Sequence, residues 1–213
     1  MSEKTAILFD IGRFRNTDGP GIRTILFFKG CPLRCRWCSN PFGLAARPQL
    51  AVNREKCTGC GMCEKVCSHG VNTVVPGERV TVNFSACVQC GACVTLCAAK
   101  ARMIAGKAYT AQQLYREAAK DAAFYRKGGG GVTLSGGEVL LQHEVAAETL
   151  RLCRANYINT CIETSAFAPW EQLWAVAQHC NTVFVDLKAM DSGKHKELTG
   201  VPNERILQNI EKL

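Results

Sequence analysis

"IRTILFFKGCPLRCRWCSN", residues 22 to 40, joins a β-branched and aromatic run to three cysteines within eight positions, Cys31, Cys35 and Cys38. The first half reads as a buried strand. The second half places a C-x3-C-x2-C spacing after that strand. A closed zinc site or an ordinary four-iron cluster takes four thiolates. Three thiolates either borrow a fourth ligand from elsewhere or leave one metal position open. The rest of the chain has to decide which.

Working outward, "GVTLSGGE" (131–138), "INTCIETS" (158–165) and "TVFVDLK" (182–188) also read as short buried strands. Helical stretches lie between them. One runs from Thr110, an N-cap, to the glycines near 128. Others cover 140–155, 169–180 with Pro169 in the first turn, and 203 to the end. Strands alternating with helices predict an α/β fold, a parallel sheet with crossover helices. Ligands of such sheets and barrels bind at the carboxyl ends of the strands. Cys31 follows the first strand of this reading and Ser135–Glu138 the second, while Glu163 and Thr164 end the third, and Asp186 and Lys188 the fourth. Any one of these is ordinarily a turn or a surface pair. Four together with a cysteine triad point to a site.

An internal repeat interrupts the pattern. "CTGCGMCEKVC" (57–67) and "CVQCGACVTLC" (87–97) share C-x2-C-G-x-C-x3-C at an offset of 30 residues. The spacing matches the bacterial ferredoxin run, in which the fourth cysteine of each copy ligates the other cluster. One cluster is therefore expected on Cys57, Cys60, Cys63 and Cys97, the other on Cys87, Cys90, Cys93 and Cys67. Gly61 and Gly91 suit a loop whose amides turn toward sulfur. The usual proline after the last cysteine is replaced by Ser68 and Ala98. The boundaries expected are an insert at 50–105 within a domain formed by 1–49 and 106–213.

Composition supports metal rather than disulfides. The chain has 14 cysteines in 213 residues, and its start, "MSEKT", is not a signal peptide. The expected setting is cytoplasmic, with no membrane partner. The formal charge is +8. Two four-thiolate clusters and one three-thiolate cluster would remove about 5 of these charges. The basic residues form no cluster interleaved with aromatics, so no nucleic acid is expected. Cys153, Cys161 and Cys180 read as small buried hydrophobes.

C-x3-C-x2-C after a first strand, with a glycine-rich turn after the second, resembles the radical S-adenosylmethionine (SAM) superfamily. "DGPGIRTILFFKGCPLRCRWCSNP" (18–41), "VTLSGGE" (132–138), "DLK" (186–188) and "HKELTG" (195–200) resemble, more closely, the glycyl-radical-enzyme activating enzymes of the pyruvate formate-lyase activase type. The double four-cysteine insert is similar to the subgroup with two further ferredoxin-type clusters. Val139 departs from the proline usual after "SGGE".

The resemblance implies a partial (β/α) barrel with an inserted ferredoxin-like 2[4Fe-4S] domain. It implies three [4Fe-4S] clusters, with Cys31, Cys35 and Cys38 binding three irons of the first and SAM chelating the fourth. Gly136 and Gly137 would let backbone approach the methionine amino group, and Glu138 would pair with that group. Trp37 would lie beside adenine, with Asn40 nearby. Glu163 and Asp186 match acidic positions around a cation, and Lys188 suits the SAM carboxylate. Asp18 matches a loop that meets the partner's glycine segment. The partners implied are a glycyl-radical enzyme and a flavodoxin- or ferredoxin-type reductant. The family's barrel has about six strand–helix units. Four are legible before Leu213, so the last two are expected to be absent. A maturase-type radical SAM enzyme with auxiliary clusters, or a ferredoxin-type electron carrier, remains open on the sequence alone.

Overall fold

The computed structural model describes residues 3–75 and 78–213. The chain forms two compact units, Met1–Arg47 with Lys107–Leu213, and Pro48–Gly106. In chain order the strands and helices are β1 (Thr5–Arg15), β2 (Arg23–Phe28), β3 (Gln49–Val52), α1 (Met62–Lys65), β4 (Asn72–Thr73), β5 (Thr81–Val82), α2 (Ala92–Thr95), β6 (Arg102–Ala105), β7 (Lys107–Thr110), α3 (Ala111–Ala119), α4 (Ala122–Gly128), β8 (Gly131–Gly136), α5 (His143–Ala155), β9 (Asn159–Thr164), α6 (Trp170–Ala177), β10 (Thr182–Val185), α7 (Ser192–Thr199) and α8 (Glu204–Lys212).

The larger unit is built on a six-stranded sheet of order β10-β9-β8-β2-β1-β7. The four strands read from sequence, β2, β8, β9 and β10, pair in parallel. The expectation of a purely parallel sheet is corrected by β1, which pairs antiparallel with both β2 and β7. Cys31 therefore follows the second strand, not the first. The signal for β1 was present in "TAILFDIGRFR", where Ala6 and Leu8 alternate inward. β7 has four residues and directly precedes the Thr110 cap, so it is too short to show a period.

The two faces of the sheet differ. Leu26 and Phe28 of β2, Val132 and Leu134 of β8 and Ile162 of β9 join Leu114, Leu150, Leu173 and Val176 of the helices in one core. α5 packs against both α3 and α6. The alternate residues take the opposite face, where Phe27 pairs in register with Ser135, and Thr133 with Cys161.

The helix expected over 110–128 is two helices. Thr110 caps α3 in a reciprocal capping box with Gln113. The break follows from Asp121, which is buried and whose carboxylate accepts from Arg13 at 2.5 Å and Thr24 at 2.6 Å. Continuing one helix would carry that carboxylate away from both strands. Pro169 is the N-cap of α6 rather than part of its first turn. α7 has no counterpart in the sequence reading, because "SGKHKELT" carries almost no apolar periodicity. Its ends are nonetheless marked by Asp191, which accepts from the Lys194 amide, and by Gly200 at φ +86°.

The smaller unit holds two two-stranded sheets, β3-β6 and β4-β5, and the one-turn helices α1 and α2. Gly61 and Gly91 precede those helices at φ +75° and +80°. A Cβ would meet nothing within 4 Å at either position, so what glycine supplies there is the left-handed backbone. No helix among the described residues is long and apolar enough to cross a membrane.

Candidate radical SAM site and cluster sites

The cysteine triad leaves β2 through a loop held from two sides. The amides of Gly30 and Cys31 donate to the carbonyls of Gly43 and Leu44 at 2.8 and 3.2 Å. The amides of Arg34 and Arg36 donate to the carbonyls of Thr199 and Leu198, at 2.6 and 3.1 Å, in the last turn of α7. The C-terminal carbonyls that a helix leaves unpaired thus serve the triad loop. All three cysteines are half-buried and none is in a disulfide. Burial pushes the metal-free Cys31 thiol up to about 11, and the negative charge of Glu138 and the other two cysteines adds to this. Burial also raises Cys35, while the Lys188 charge opposes it. Iron coordination would remove these protons outright.

The triad opens into a cavity of about 250 Å³ on the face of the sheet opposite the helices. Asp18, Trp37, Asn40, Gly136, Gly137, Glu163, Asp186 and Lys188 line it with the three cysteines. Ser135 and Thr164, expected at the ends of their strands, also line it, as do Phe27 and Ser165, which were not named from sequence. Lys188 Nζ lies 2.7 Å from Asp186 Oδ2. Ser135 donates to Glu163 at 2.6 Å. Burial raises the Glu163 carboxyl above its ordinary range, with Ser135 opposing and the Asp18 and Asp186 charges adding. Three carboxylates against one lysine make the cavity suited to a ligand with a cationic group, and Lys188 is the one cation among these lining residues.

"SGGE" is placed differently from the sequence expectation. A Cβ on Gly137 would sit 2.3 Å from the carbonyl oxygens of Gly30 and Gly43. One on Gly136, at φ +121°, would sit 2.4 Å from the Phe28 backbone. Both glycines are required by close packing of this turn on the triad loop, and their backbone still borders the cavity. Glu138 does not line the cavity. It is buried, and its carboxylate accepts from Thr164 Oγ1 at 2.6 Å, the Ser165 amide at 2.9 Å, Ser165 Oγ at 2.5 Å and the Leu140 amide at 3.2 Å. Its acceptor capacity is spent joining the β8 turn to the end of β9, so the expected pairing with a ligand amine is corrected.

Two basic residues of "IRTILFFKG" were missed. Arg23 is fully buried and donates to Thr133 Oγ1, the Pro20 and Val132 carbonyls, and Asn159. Thr133 in turn donates to the Asp18 carbonyl at 2.8 Å. This clamp sets the "DGPG" loop against β8 and β9. Lys29 is likewise buried and donates to the Phe42 carbonyl. The available signal was a cation inside an apolar run, since Arg and Lys are rarely buried without partners.

In the smaller unit, Cys57, Cys60, Cys63 and Cys97 line one small cavity, and Cys67, Cys87, Cys90 and Cys93 line a second. Their composition is the crossed pairing expected from the repeat. Among the described residues no three Cys, His, Asp or Glu side chains converge on a point that would hold a single ion. Amide hydrogen bonds from Val80 and Gly59 lower the Cys57 thiol, and Cys97 Sγ accepts from the Ala101 amide at 3.3 Å. Burial holds Cys153, Cys161 and Cys180 up at about 12, 11 and 12, as inert thiols.

Residues 85–213 match the radical SAM superfamily, and residues 56–101 match a 4Fe-4S dicluster domain. The chain is 43% identical over 212 residues to the choline trimethylamine-lyase activating enzyme of Oleidesulfovibrio alaskensis, covering 99% of this chain and 68% of that enzyme. It is 40% identical to the (2S)-3-sulfopropanediol dehydratase activating enzyme of Klebsiella oxytoca, covering 97% and 67%. It is 38% identical to the 4-hydroxyphenylacetate decarboxylase activating enzyme of Clostridioides difficile, again covering 97% and 67%. The cysteine triad, the two cysteine quartets of the insert and these likenesses agree: the chain belongs to the radical SAM superfamily and, within it, to the activating enzymes of glycyl-radical enzymes.

Proposed function

We propose that the chain carries three [4Fe-4S] clusters and uses the first, on Cys31, Cys35 and Cys38, to activate SAM against a glycine of a partner glycyl-radical enzyme. The observation that carries this reading is the shared cavity, in which the triad meets Gly136, Gly137, Glu163, Asp186 and Lys188 from the ends of four parallel strands. When bound, the cluster and SAM supply an electron and a carbon radical, giving methionine, 5′-deoxyadenosine and a glycyl radical on the partner. The chain's own residues hold and orient. Lys188 faces the SAM carboxylate, Glu163 and Asp186 hold the positive charge beside it, and the Gly136–Gly137 backbone borders the methionine amine. Trp37, half exposed at the cavity mouth, covers adenine with Asn40 beside it. Asp18, set by Arg23 and Thr133, meets the partner's glycine segment.

The four parallel strands, with helices on one face and the cavity on the other, support a partial (β/α) barrel. We assign residues 50–105 as the ferredoxin-like insert, with clusters on the two crossed quartets and a flavodoxin- or ferredoxin-type reductant as electron source. The 14 free cysteines favour a reducing, cytoplasmic setting. Membrane and nucleic acid are not among the partners proposed.

The test is anaerobic reconstitution with iron, sulfide and SAM, followed by incubation with candidate glycyl-radical enzymes. A glycyl radical signal on the partner, stoichiometric with 5′-deoxyadenosine, supports the proposal. Release of 5′-deoxyadenosine with no radical on any glycyl-radical enzyme would move the reading to a maturase-type enzyme.

A further inference from the structure

The repeat that builds the insert is symmetric in its cysteines but not in its charge. Asn72 and Arg102 occupy equivalent positions, 30 residues apart, like Cys63 and Cys93. Each is buried and reaches the third cysteine of its own repeat. Asn72 Nδ2 donates to the Cys63 carbonyl at 2.9 Å, and Arg102 Nη1 donates to Cys93 Sγ at 3.4 Å. Each also lines the cavity that this cysteine does not line. Asn72 borders the Cys67, Cys87, Cys90 and Cys93 cavity, and Arg102 borders the Cys57, Cys60, Cys63 and Cys97 cavity. Both therefore stand between the two sites. Among the described residues, each keeps one buried polar atom with no hydrogen-bond partner, Asn72 Oδ1 and Arg102 Nη2. A buried guanidinium with an idle N–H needs an anionic neighbour, and a thiolate-ligated cluster supplies one.

We infer that Arg102 tunes the redox potentials of both insert clusters and, through its hydrogen bond to Cys93, places the first electron on the cluster held by Cys67, Cys87, Cys90 and Cys93. The inference rests on the proposed assignment of clusters to the two quartets. Hydrogen bonds to sulfur and nearby positive charge stabilise the reduced, more negative cluster. The neutral Asn72 offers the other repeat no equivalent charge. The Arg102 charge also reaches the second quartet. Its side chain lines the cavity of Cys57, Cys60, Cys63 and Cys97. One-electron reduction then adds a single electron to one cluster, with the other left oxidised.

The experiment uses the full chain with Cys38→Ala, so that only the insert clusters remain, reconstituted anaerobically and titrated against dithionite with EPR detection. About eight irons per chain are expected. Far fewer irons, or zinc in their place, would overturn the cluster assignment and this inference with it. With iron in full, Arg102→Asn makes the repeats alike. At the wild-type midpoint of the higher-potential cluster it is expected to raise the oxidised-to-reduced ratio about tenfold, with a smaller change at the other cluster. An oxidised-to-reduced ratio within about twofold of wild type, at full iron, would overturn the inference alone. If Arg102→Asn loses iron, Arg102→Lys carries the test. A ratio within about threefold of wild type supports control by charge, and a tenfold rise with full iron refutes it.

Discussion

The Arg34 amide lies 2.6 Å from the Thr199 carbonyl, so the loop that carries the cysteine triad hangs on the last turn of α7. That turn is itself fixed by His195. Its ring is fully buried, and its Nδ1 lies 2.7 Å from the Val201 carbonyl and 3.1 Å from Thr199 Oγ1. A carbonyl only accepts, so Nδ1 carries the proton. Nε2 is buried without a partner among the described residues.

This geometry separates two substitutions. Asparagine places an amide near the position of Nδ1, whereas glutamine places it near Nε2. His195→Asn should keep the α7 turn, and His195→Gln should lose about 1–2 kcal/mol of stability. Hydrogen exchange at the Arg34 and Arg36 amides reads the effect directly. Faster exchange in His195→Gln but not in His195→Asn is expected, together with lower iron retention at the triad. Equal exchange in both variants would detach His195 from the loop.

Cys38→Ala should abolish SAM cleavage while leaving the insert clusters, because the triad and the quartets use separate cysteines. About eight of about twelve irons should remain. Iron analysis and 5′-deoxyadenosine release check this, and continued release would refute the triad assignment.

The half-buried Glu163 should act against stability when no ligand is bound. Its folded carboxyl binds its proton more tightly than the unfolded one. Folding is then favoured below the ordinary carboxylate range and loses stability as pH rises through the raised folded value. Glu163→Gln removes this dependence. At neutral pH the ligand-free variant should melt about 1–3 °C higher while binding SAM more weakly. The Tm difference should vanish toward pH 4, and a difference that grew on acidification would contradict the sign.

Glycines in the two units should respond unequally to alanine. Gly137→Ala drives a Cβ to 2.3 Å from two carbonyl oxygens, so backbone must move at the triad. Loss of SAM binding and a destabilisation above about 3 kcal/mol are expected. Gly61→Ala meets no atom and carries only the left-handed strain, about 1–2 kcal/mol. Denaturant melts of both variants, with SAM titration of the first, decide the comparison.

The chemistry proposed for this protein is local in the sequence and is read from there. Metal ligands need fixed residue types at short spacings, so Cys31, Cys35 and Cys38 and the two quartets stood out. The four parallel strands did too; in β2 and β8 burial on both faces demands continuous apolar runs, whereas β10, expected to be buried, is only half-buried and exposes Phe184. The tertiary structure decided what depends on partners far along the chain. β1 and β7 make the sheet mixed because each finds an antiparallel edge. Asp121 splits a helix to reach Arg13 and Thr24. Glu138 looked like a ligand residue beside two glycines. Its direction was set by donors at Thr164 and Ser165, which only the pairing of β8 with β9 brings within reach. Arg23 and Lys29 are unremarkable letters until burial removes water from around them. A buried polar atom must then find a protein partner, and which partner it finds is a property of the fold.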